Sequence, residues 1–195
     1  GDHRDLHSFP TRRSSDLIYP LLENKTLKCE NNHCYDISKR GYINLLLNPD
    51  KATNNPGDSK ESLVARKAYL NKGYYDPILD QVITCIDEFK HQDDLSILDL
   101  GCGEGYYTQG LKKHFENSDI YGLDISKIAI DMATRYRKDV TWLVGNSKNI
   151  PILDHSLDFI CALFTVVNQD ELKRALKEDG YIVHVTANNQ HLIEI

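Results

Sequence analysis

A glycine-rich turn after a short apolar run is the feature of this sequence with the clearest chemistry. Gly101, Gly103 and Gly105 alternate with Cys102 and Glu104 directly after the run Ile-Leu-Asp-Leu at residues 97–100. Glycines let the backbone turn sharply and let a ligand approach the peptide groups. A helix that starts here presents free N–H groups and a positive dipole end, which suit a carboxylate or a phosphate. The pattern predicts a nucleotide-like pocket, and dinucleotide enzymes use a similar turn at the same place.

Three neighbouring residues favour S-adenosylmethionine (SAM) over a dinucleotide. Tyr106 stands three positions after Gly103, where a dinucleotide fingerprint needs a small residue. Asp99 lies in the strand just before the turn, where SAM enzymes keep an acid. Asp124 ends the next predicted strand, and a carboxylate there can accept hydrogen bonds from both ribose hydroxyls. The predicted SAM contacts are therefore Asp99, Gly101, Gly103, Glu104, Gly105 and Asp124.

Strands and helices must alternate to position this turn. Apolar runs predict strands at residues 96–100, 120–123, 140–144, 157–163 and 180–186, with helices at 108–115 and 127–137 between them. Such alternation implies right-handed crossovers and a mainly parallel α/β sheet that is covered on both faces. Asn146 follows the third strand, where its amide can meet an adenine edge, so it is predicted as a further SAM contact.

The residues before this sheet divide by composition. Residues 18–47 have the short runs and turn residues of a small module, and residues 49–59 have the composition of a linker. Two helices are predicted next, at residues 59–71 with Ser59 as the N-cap and at residues 77–89 with a single apolar stripe.

Residues 1–17 lack the periodicity of a helix or a strand. Residues 7–17 are what a DNA string resembling a common sequencing adapter encodes. We therefore interpret residues 1–17 as a non-native segment, and the alternative is a natural arm whose two arginines contact phosphate.

Composition excludes some classes of protein. Hydrophobic residues make up 41% and charged residues 27% of the chain, as in ordinary soluble domains. No apolar run reaches the roughly 20 residues that cross a bilayer, and no secretory segment is recognisable, so a cytoplasmic protein without a membrane partner is predicted. The net charge of -6 argues weakly against binding nucleic acid.

Several motifs in order give the chain a family resemblance. They are Cys29-x3-His33, GYINLL at residues 41–46, PGDS at 56–59, Ala65-Arg66 and the turn at 101–108. With these motifs, residues 18–195 resemble the bacterial 23S rRNA (guanine-N1)-methyltransferases, whereas a generic methyltransferase has only the glycine turn. The resemblance implies a class I SAM methyltransferase fold, Rossmann-like, with a small N-terminal zinc-ribbon-like module for RNA recognition. It also implies methylation of a guanine in a hairpin loop of 23S rRNA.

The resemblance also implies roles for individual residues. Gly103 and Glu104 match the loop that contacts SAM. Tyr75 matches an aromatic residue that packs against SAM from upstream of its domain, and His191 matches a histidine that reaches SAM after the fifth strand. An aromatic ring beside a sulfonium is favourable, because cation–π attraction contributes about 1 kcal/mol.

Two departures from the family pattern affect the predicted metal site and the predicted fold. Cys29 and His33 are predicted zinc ligands, but the other two cysteines of the family would fall near Ser14 and Leu17. Structural zinc takes four protein ligands, so half a site should bind zinc weakly or not at all. The chain also stops soon after its fifth predicted strand, which predicts a sheet lacking its last two strands and an exposed apolar edge.

The predicted domains are therefore residues 1–17, non-native; 18–47, a remnant zinc module; 48–90, linker and helices; and 91–195, the SAM domain. The expected reaction is SAM-dependent methylation of guanine N1, and the pattern identifies no general base. Two alternatives remain, a methyltransferase acting on a small molecule and a non-catalytic RNA-binding relic. Oligomeric state is not predictable from these patterns.

Overall fold

A computed structural model describes the backbone of residues 12–13, 16–21 and 26–29, and residues 34–46 and 57–187. Side chains are described for Tyr35 and for residues 37–46 and 57–187. The strands are β1 (Arg12–Arg13), β2 (Asp16–Leu21), β3 (Thr26–Cys29), β4 (Cys34–Asp36), β5 (Ile43–Asn44), β6 (Ser96–Leu100), β7 (Asp119–Asp124), β8 (Thr141–Val144), β9 (Leu157–Leu163) and β10 (Leu176–Val185). The helices are α1 (Lys60–Leu70), α2 (Asp76–Phe89), α3 (Tyr106–His114), α4 (Lys127–Ala133) and α5 (Gln169–Ala175).

The main sheet has six strands in the order β10-β9-β6-β7-β8-β5, and every neighbouring pair is parallel. Alternate residues of β6 enter different cores, since Ile97 packs with α2, α3 and α4 while Leu98 packs with α5. Both faces of the sheet are therefore covered, and the predicted α/β architecture is confirmed. The four N-terminal strands form a separate antiparallel sheet, β1-β2-β3-β4.

Two predicted element boundaries are wrong, and the structure shows why. The helix predicted to reach residue 137 ends at Ala133. A turn follows at residues 134–136, where the amides of Arg135 and Tyr136 donate to the carbonyls of Met132 and Ala133 over 3.3 and 3.2 Å in place of helical bonds. The last strand begins at Leu176 rather than at Gly180, with an irregularity in its pairing between Leu176 and Tyr181. The helix cap at Ser59 is confirmed, since its Oγ accepts a hydrogen bond from the Ser62 amide over 3.1 Å.

The segment before the linker contributes a strand to the main sheet, which the sequence did not predict. Ile43 pairs with Leu143, and the Leu45 amide donates to the Val144 carbonyl over 2.8 Å. Leu45 is buried with Ile43 in the core on one face of the sheet, while Leu46 is buried in the core on the other face. The GYINLL motif therefore belongs to the packing of the main sheet, even though the predicted module at residues 18–47 contains it.

The other edge of the sheet is β10, as predicted. Ile182 is 43% exposed, while Tyr181 packs against Phe159 with ring centroids 5.7 Å apart. No strand pairs with the outer side of β10 within the described ranges. Among the helices that the structure describes, none combines the length and the apolar character needed to span a membrane.

Candidate active site

The glycine turn has the geometry that its sequence predicts. Gly101, Gly103 and Gly105 all have positive φ, at 74°, 55° and 85°. This left-handed region favours glycine, because a Cβ would clash with the backbone. The amides of Gly101 and Cys102 both donate to the Leu123 carbonyl, over 2.8 and 3.1 Å. The turn is therefore tied to the end of β7 and lies at the carboxyl edge of the sheet.

A cavity of about 510 Å³ opens at this edge. Its walls come from the turns after β6, β7 and β9, from one side of α1 and the PGDS turn before it, and from Tyr75. Ligands of open parallel sheets bind at this edge, beyond the carboxyl ends of the strands. The structure thus brings five of the predicted site residues to one cavity: Tyr75, Gly101, Gly103, Glu104 and Asp124.

Asp124 is held by two backbone amides. Its Oδ2 accepts from the Gly103 amide over 2.9 Å, and its Oδ1 accepts from the Ser126 amide over 2.7 Å. Burial nevertheless raises the pKa of this carboxyl. Each carboxylate oxygen can accept a second hydrogen bond, so the fixed side chain can still receive two hydroxyl donors from a ligand.

Glu104 presents an unsatisfied acceptor. Its side chain is only 3% exposed, and Oε1 has no hydrogen-bond partner within the described residues. Burial raises the pKa of this carboxyl as well. Buried polar atoms are nearly always paired, so an unpaired oxygen on a residue that lines the cavity points to a ligand that donates to it.

Asp99 lies behind the turn and does not line the cavity. Its Oδ2 accepts from Thr108 Oγ1 over 2.5 Å, which links β6 to the first turns of α3. Burial raises the pKa of Asp99 to about 7. The geometry gives Asp99 a positioning role, since it fixes α3 against the strand that carries the turn.

Gly105 and Gly103 of the turn meet different surroundings. A Cβ on Gly105 would lie 2.6 Å from Cη2 of Trp142, so Gly105 serves helix–sheet packing and does not line the cavity. A Cβ on Gly103 would meet nothing nearer than Nη1 of Arg66 at 3.8 Å. Gly103 therefore leaves open space for a ligand.

The remaining predicted site residues are not at this cavity or cannot be placed. Asn146 Oδ1 accepts from the Lys148 amide over 3.0 Å, and Asn146 does not line the cavity. His191 and His33 lie outside the described residues. Cys29 lies in β3, but its side chain is also outside the description. The described part of the chain holds no group of three His, Cys, Asp or Glu side chains that could bind a metal ion.

The structure adds cavity residues that sequence reasoning did not assign to the site. Asp58 and Arg66 form an ion pair of 2.7 Å at the cavity wall, and Tyr69 and Phe164 also line it. Asp58 belongs to the PGDS motif and Arg66 to the Ala-Arg motif. The order of these motifs in the sequence was therefore the signal that could have assigned both residues to the site. Arg66 is the only Lys or Arg among the described lining residues, against the carboxyls of Asp58, Glu104 and Asp124. The cavity therefore suits a ligand with net positive charge.

Comparison with known families and folds agrees with this geometry. Residues 97–180 match the family model described as a methyltransferase domain. The solved structure of the plantazolicin methyltransferase BpumL with SAH shares the fold, with a TM-score of 0.59 at 21% identity over 69% of this chain and 56% of that one. A SAM-dependent methyltransferase from Methanococcus maripaludis gives a TM-score of 0.55 at 23% identity over 71% of this chain and 69% of that one. The parallel-sheet part of the chain has the class I methyltransferase fold.

Curated relatives extend the similarity beyond this methyltransferase domain. Residues 19–52 match the zinc-ribbon family described as RlmA, N-terminal. A 23S rRNA (guanine-N1)-methyltransferase of Bacillus subtilis is 32% identical over 88% of this chain and 61% of its own length. The 23S rRNA (guanine(748)-N1)-methyltransferase of Streptomyces fradiae is 29% identical over 97% of this chain and 64% of its own length. The predicted resemblance is thus confirmed, and the chain spans less than two thirds of the length of these relatives.

Proposed function

We propose that the methyltransferase domain binds SAM in the cavity and methylates N1 of a guanine in a hairpin loop of 23S rRNA. The carrying observation is the buried Glu104 oxygen without a partner, beside the open wall of Gly103 and the fixed carboxylate of Asp124. The resemblance to relatives named as guanine-N1 methyltransferases of 23S rRNA supports the RNA substrate. Since ribosomal RNA is an intracellular substrate, we place the protein in the cytoplasm.

The residues of the cavity fit the charged groups of SAM. Glu104 supplies an acceptor for the ammonium group, Arg66 supplies a donor fork for the carboxylate, and Asp124 supplies two acceptors for the ribose hydroxyls. The excess of carboxyls over cations suits the sulfonium. When bound, SAM supplies an electrophilic methyl group. Tyr75, whose ring lies on the wall, can stabilise the nearby positive charge.

The protein contributes mainly positioning to this reaction. The glycine turn, fixed by Leu123 and by Asp124, sets the place of one reactant, and the opening of the cavity sets the approach of the other. In the transfer, guanine N1 would form the new N–C bond as the S–CH3 bond of SAM breaks, S-adenosylhomocysteine would be the leaving group, and the N1 proton would go to solvent. Holding two reactants in line contributes several kcal/mol, on the order of 7, to lowering the barrier.

The N-terminal module is proposed as the part that reads the RNA. We propose residues 18–47 as this module and Cys29 and His33 as half of its zinc site, because the zinc-ribbon family matches residues 19–52. We keep residues 48–90 as linker and helices and residues 91–195 as the SAM domain. Residues 1–17 remain a proposed non-native segment.

The first test uses the full chain, labelled SAM and a transcribed 23S rRNA hairpin, with the modified base mapped by primer extension. We expect SAM to bind and label to enter a guanine. Glu104→Gln should weaken SAM binding about tenfold, because a charged hydrogen bond is lost. Glu88→Gln, an exposed change on α2, should leave it unchanged.

Each alternative predicts a different outcome of this experiment. A small-molecule methyltransferase would bind SAM but leave the hairpin unlabelled, and a non-catalytic relic would bind RNA without binding SAM. Wild-type affinity for SAM in Glu104→Gln would contradict the assigned cavity.

A further inference from the structure

Four aromatic rings form a continuous strip beside the cavity. The ring centroids of Tyr74 and Tyr69 are 5.1 Å apart, those of Tyr69 and Tyr75 are 6.0 Å apart, and those of Tyr75 and Phe164 are 6.1 Å apart. Tyr69, Tyr74 and Phe164 are 49%, 61% and 47% exposed. Large apolar rings normally gain stability by burial, so three exposed rings in one chain of contacts need another explanation. We call these four residues the aromatic strip.

The aromatic strip is continuous with the proposed SAM cavity. Tyr69, Tyr75 and Phe164 also line that cavity, and Tyr74 extends the strip outward from Tyr69. A methyl acceptor must reach the reactive methyl group at the mouth of this cavity. The strip is therefore where an acceptor enters.

The backbone of Phe164 is strained. Its φ is 57°, and within the described residues only His155 shares a positive φ without being glycine. The left-handed region is costly for a bulky side chain, and such outliers cluster at functional sites. The Phe164 amide donates to the Val185 carbonyl over 2.9 Å, so the end of β10 holds the strained residue in place. The strained backbone thus places an exposed ring at the cavity mouth, and burial of this ring contributes little to offset the strain.

The charges nearby favour a nucleic acid over an apolar partner. Besides Arg66, which pairs with Asp58, the helix α1 and the turn after it carry Lys60, Lys67 and Lys72 against the single acid Glu61. Tyr69 and Tyr74 lie along this same basic segment. Basic side chains interleaved with aromatic rings are typical of surfaces that bind single-stranded nucleic acid, because phosphates meet the cations while bases stack on the rings.

We propose that the aromatic strip stacks the purine ring of the methyl-accepting guanosine, with Phe164 against the target base and Tyr74 against a neighbouring base. This inference rests on the proposed function and names its acceptor subsite. Stacking on rings orients a base that has been turned out of its loop and leaves its Watson–Crick edge free for reaction.

The test measures binding of two fluorescent hairpin RNAs in the presence of S-adenosylhomocysteine. One hairpin carries the guanine that primer extension identifies, and the other carries an abasic nucleotide there. The variants are Phe164→Gly, which removes the ring but fits the positive φ, and Tyr74→Leu, outside the cavity. The matched control is Phe89→Leu, which removes an equally exposed ring, 45% exposed, that contacts Tyr181 at the β10 edge.

We expect Phe164→Gly to bind the guanine hairpin about tenfold more weakly while its affinity for the abasic hairpin changes less than about twofold. Its melting temperature should not fall, because glycine relieves the backbone strain. Tyr74→Leu should weaken binding of both hairpins by a smaller factor, and Phe89→Leu should change neither. The stacking proposal alone would be overturned if Phe164→Gly kept the wild-type preference for guanine and Tyr74→Leu bound both hairpins like the wild type. A wild-type chain that labels no guanine, or that does not distinguish the hairpins, would overturn the proposed function and the subsite with it.

Discussion

At the scale of residues, the acids around the glycine turn have separate tasks. Asp124 and Glu104 face the cavity, while Asp99 bonds to Thr108 behind it. All three carboxyls have raised pKa values, and burial is the main cause for each. Burial destabilises an ionised carboxylate, and the charge of Arg66 offsets this only in part at Glu104 and Asp124. The site therefore carries an electrostatic cost that a cationic ligand can offset.

The cost at Asp99 predicts a pH dependence of folding. Its pKa rises from 3.8 unfolded to about 7 folded. The folded state thus binds the proton more tightly, and the stability from this group is present below about pH 4 and lost as the pH rises to about 7. Asp99→Asn should remove this dependence and exceed the wild type at pH 8 by up to about 4 kcal/mol in the free energy of unfolding. Urea unfolding at pH 5 and pH 8 checks this, and a wild-type stability that rises from pH 5 to pH 8 while Asp99→Asn stays flat would contradict it.

Substitutions at Gly105 and Gly41 can be compared to measure how tightly the glycine turn packs against the sheet. Both have positive φ, at 85° and 93°, but a Cβ on Gly105 meets Trp142 whereas one on Gly41 meets nothing within 4 Å. Gly41→Ala should lower the free energy of unfolding by about 1 kcal/mol through strain alone. Gly105→Ala should lower it by about 3 kcal/mol, because overpacking adds to the strain. Equal losses in thermal denaturation would show that Trp142 yields without cost.

Spacing predicted part of this site and missed the rest for physical reasons. Gly101, Gly103, Glu104 and Asp124 were predictable because the turn and the ends of adjacent parallel strands must meet at one edge. Phe164 was not predictable, since neither its strained φ nor its contact with Tyr75 follows from local sequence. The placements proposed for Tyr75 and His191 rested on resemblance alone, and only Tyr75 lies within the described residues.

At the scale of elements, the alternation of apolar runs predicted the parallel sheet, but it could not predict β5. A strand of two residues leaves no periodicity to detect, and its pairing with β8 is set by tertiary contacts. The predicted length of α4 was wrong as well, because the helical bonds give way after Ala133 to a turn at residues 134–136. Local patterns indicate which segments form elements, whereas packing decides where they end.

The short strand β5 should stabilise the methyltransferase domain out of proportion to its length. Ile43 is 2% exposed and packs in a core shared with β7, β8 and β9. Ile43→Ala should lower the free energy of unfolding by about 3 kcal/mol. Val166→Ala, at a residue 83% exposed, should change it by less than about 0.5 kcal/mol. If both variants melt like the wild type in calorimetry, β5 contributes nothing to the domain.

At the scale of the molecule, the proposed zinc-binding and SAM-binding functions belong to two different sheets. Strands β3 and β4 of the antiparallel sheet fall in residues 19–52, which the zinc-ribbon family matches, and the parallel sheet carries the cavity. Metal and SAM are therefore expected to act on different parts of the chain. The described part of the parallel-sheet domain offers no group of side chains for a metal.

This separation predicts the effect of removing metal. Treatment with a chelator should leave the affinity for SAM unchanged, because the cavity offers SAM charged side chains and backbone rather than a metal. Binding of the RNA hairpin is the property expected to respond, in proportion to any zinc released. Before and after dialysis, calorimetry measures the affinity for SAM and elemental analysis measures the zinc content. A large loss of SAM affinity would contradict the separation of the metal site from the SAM site.

The pairing of β5 with β8 also bears on how the protein can be cut and rejoined. Within residues 42–46, Ile43 and Asn44 form a strand of the main sheet and their neighbours pack in its cores, although the predicted linker at residues 49–59 separates them from the next helix. A chain cleaved within residues 47–56 should therefore behave as two complementing fragments that co-purify, the smaller one held by its inserted strand. Chimaeras that exchange the N-terminal module should accordingly be joined between Asp36 and Ile37, after β4 and before β5, so that each methyltransferase domain keeps its own edge strand.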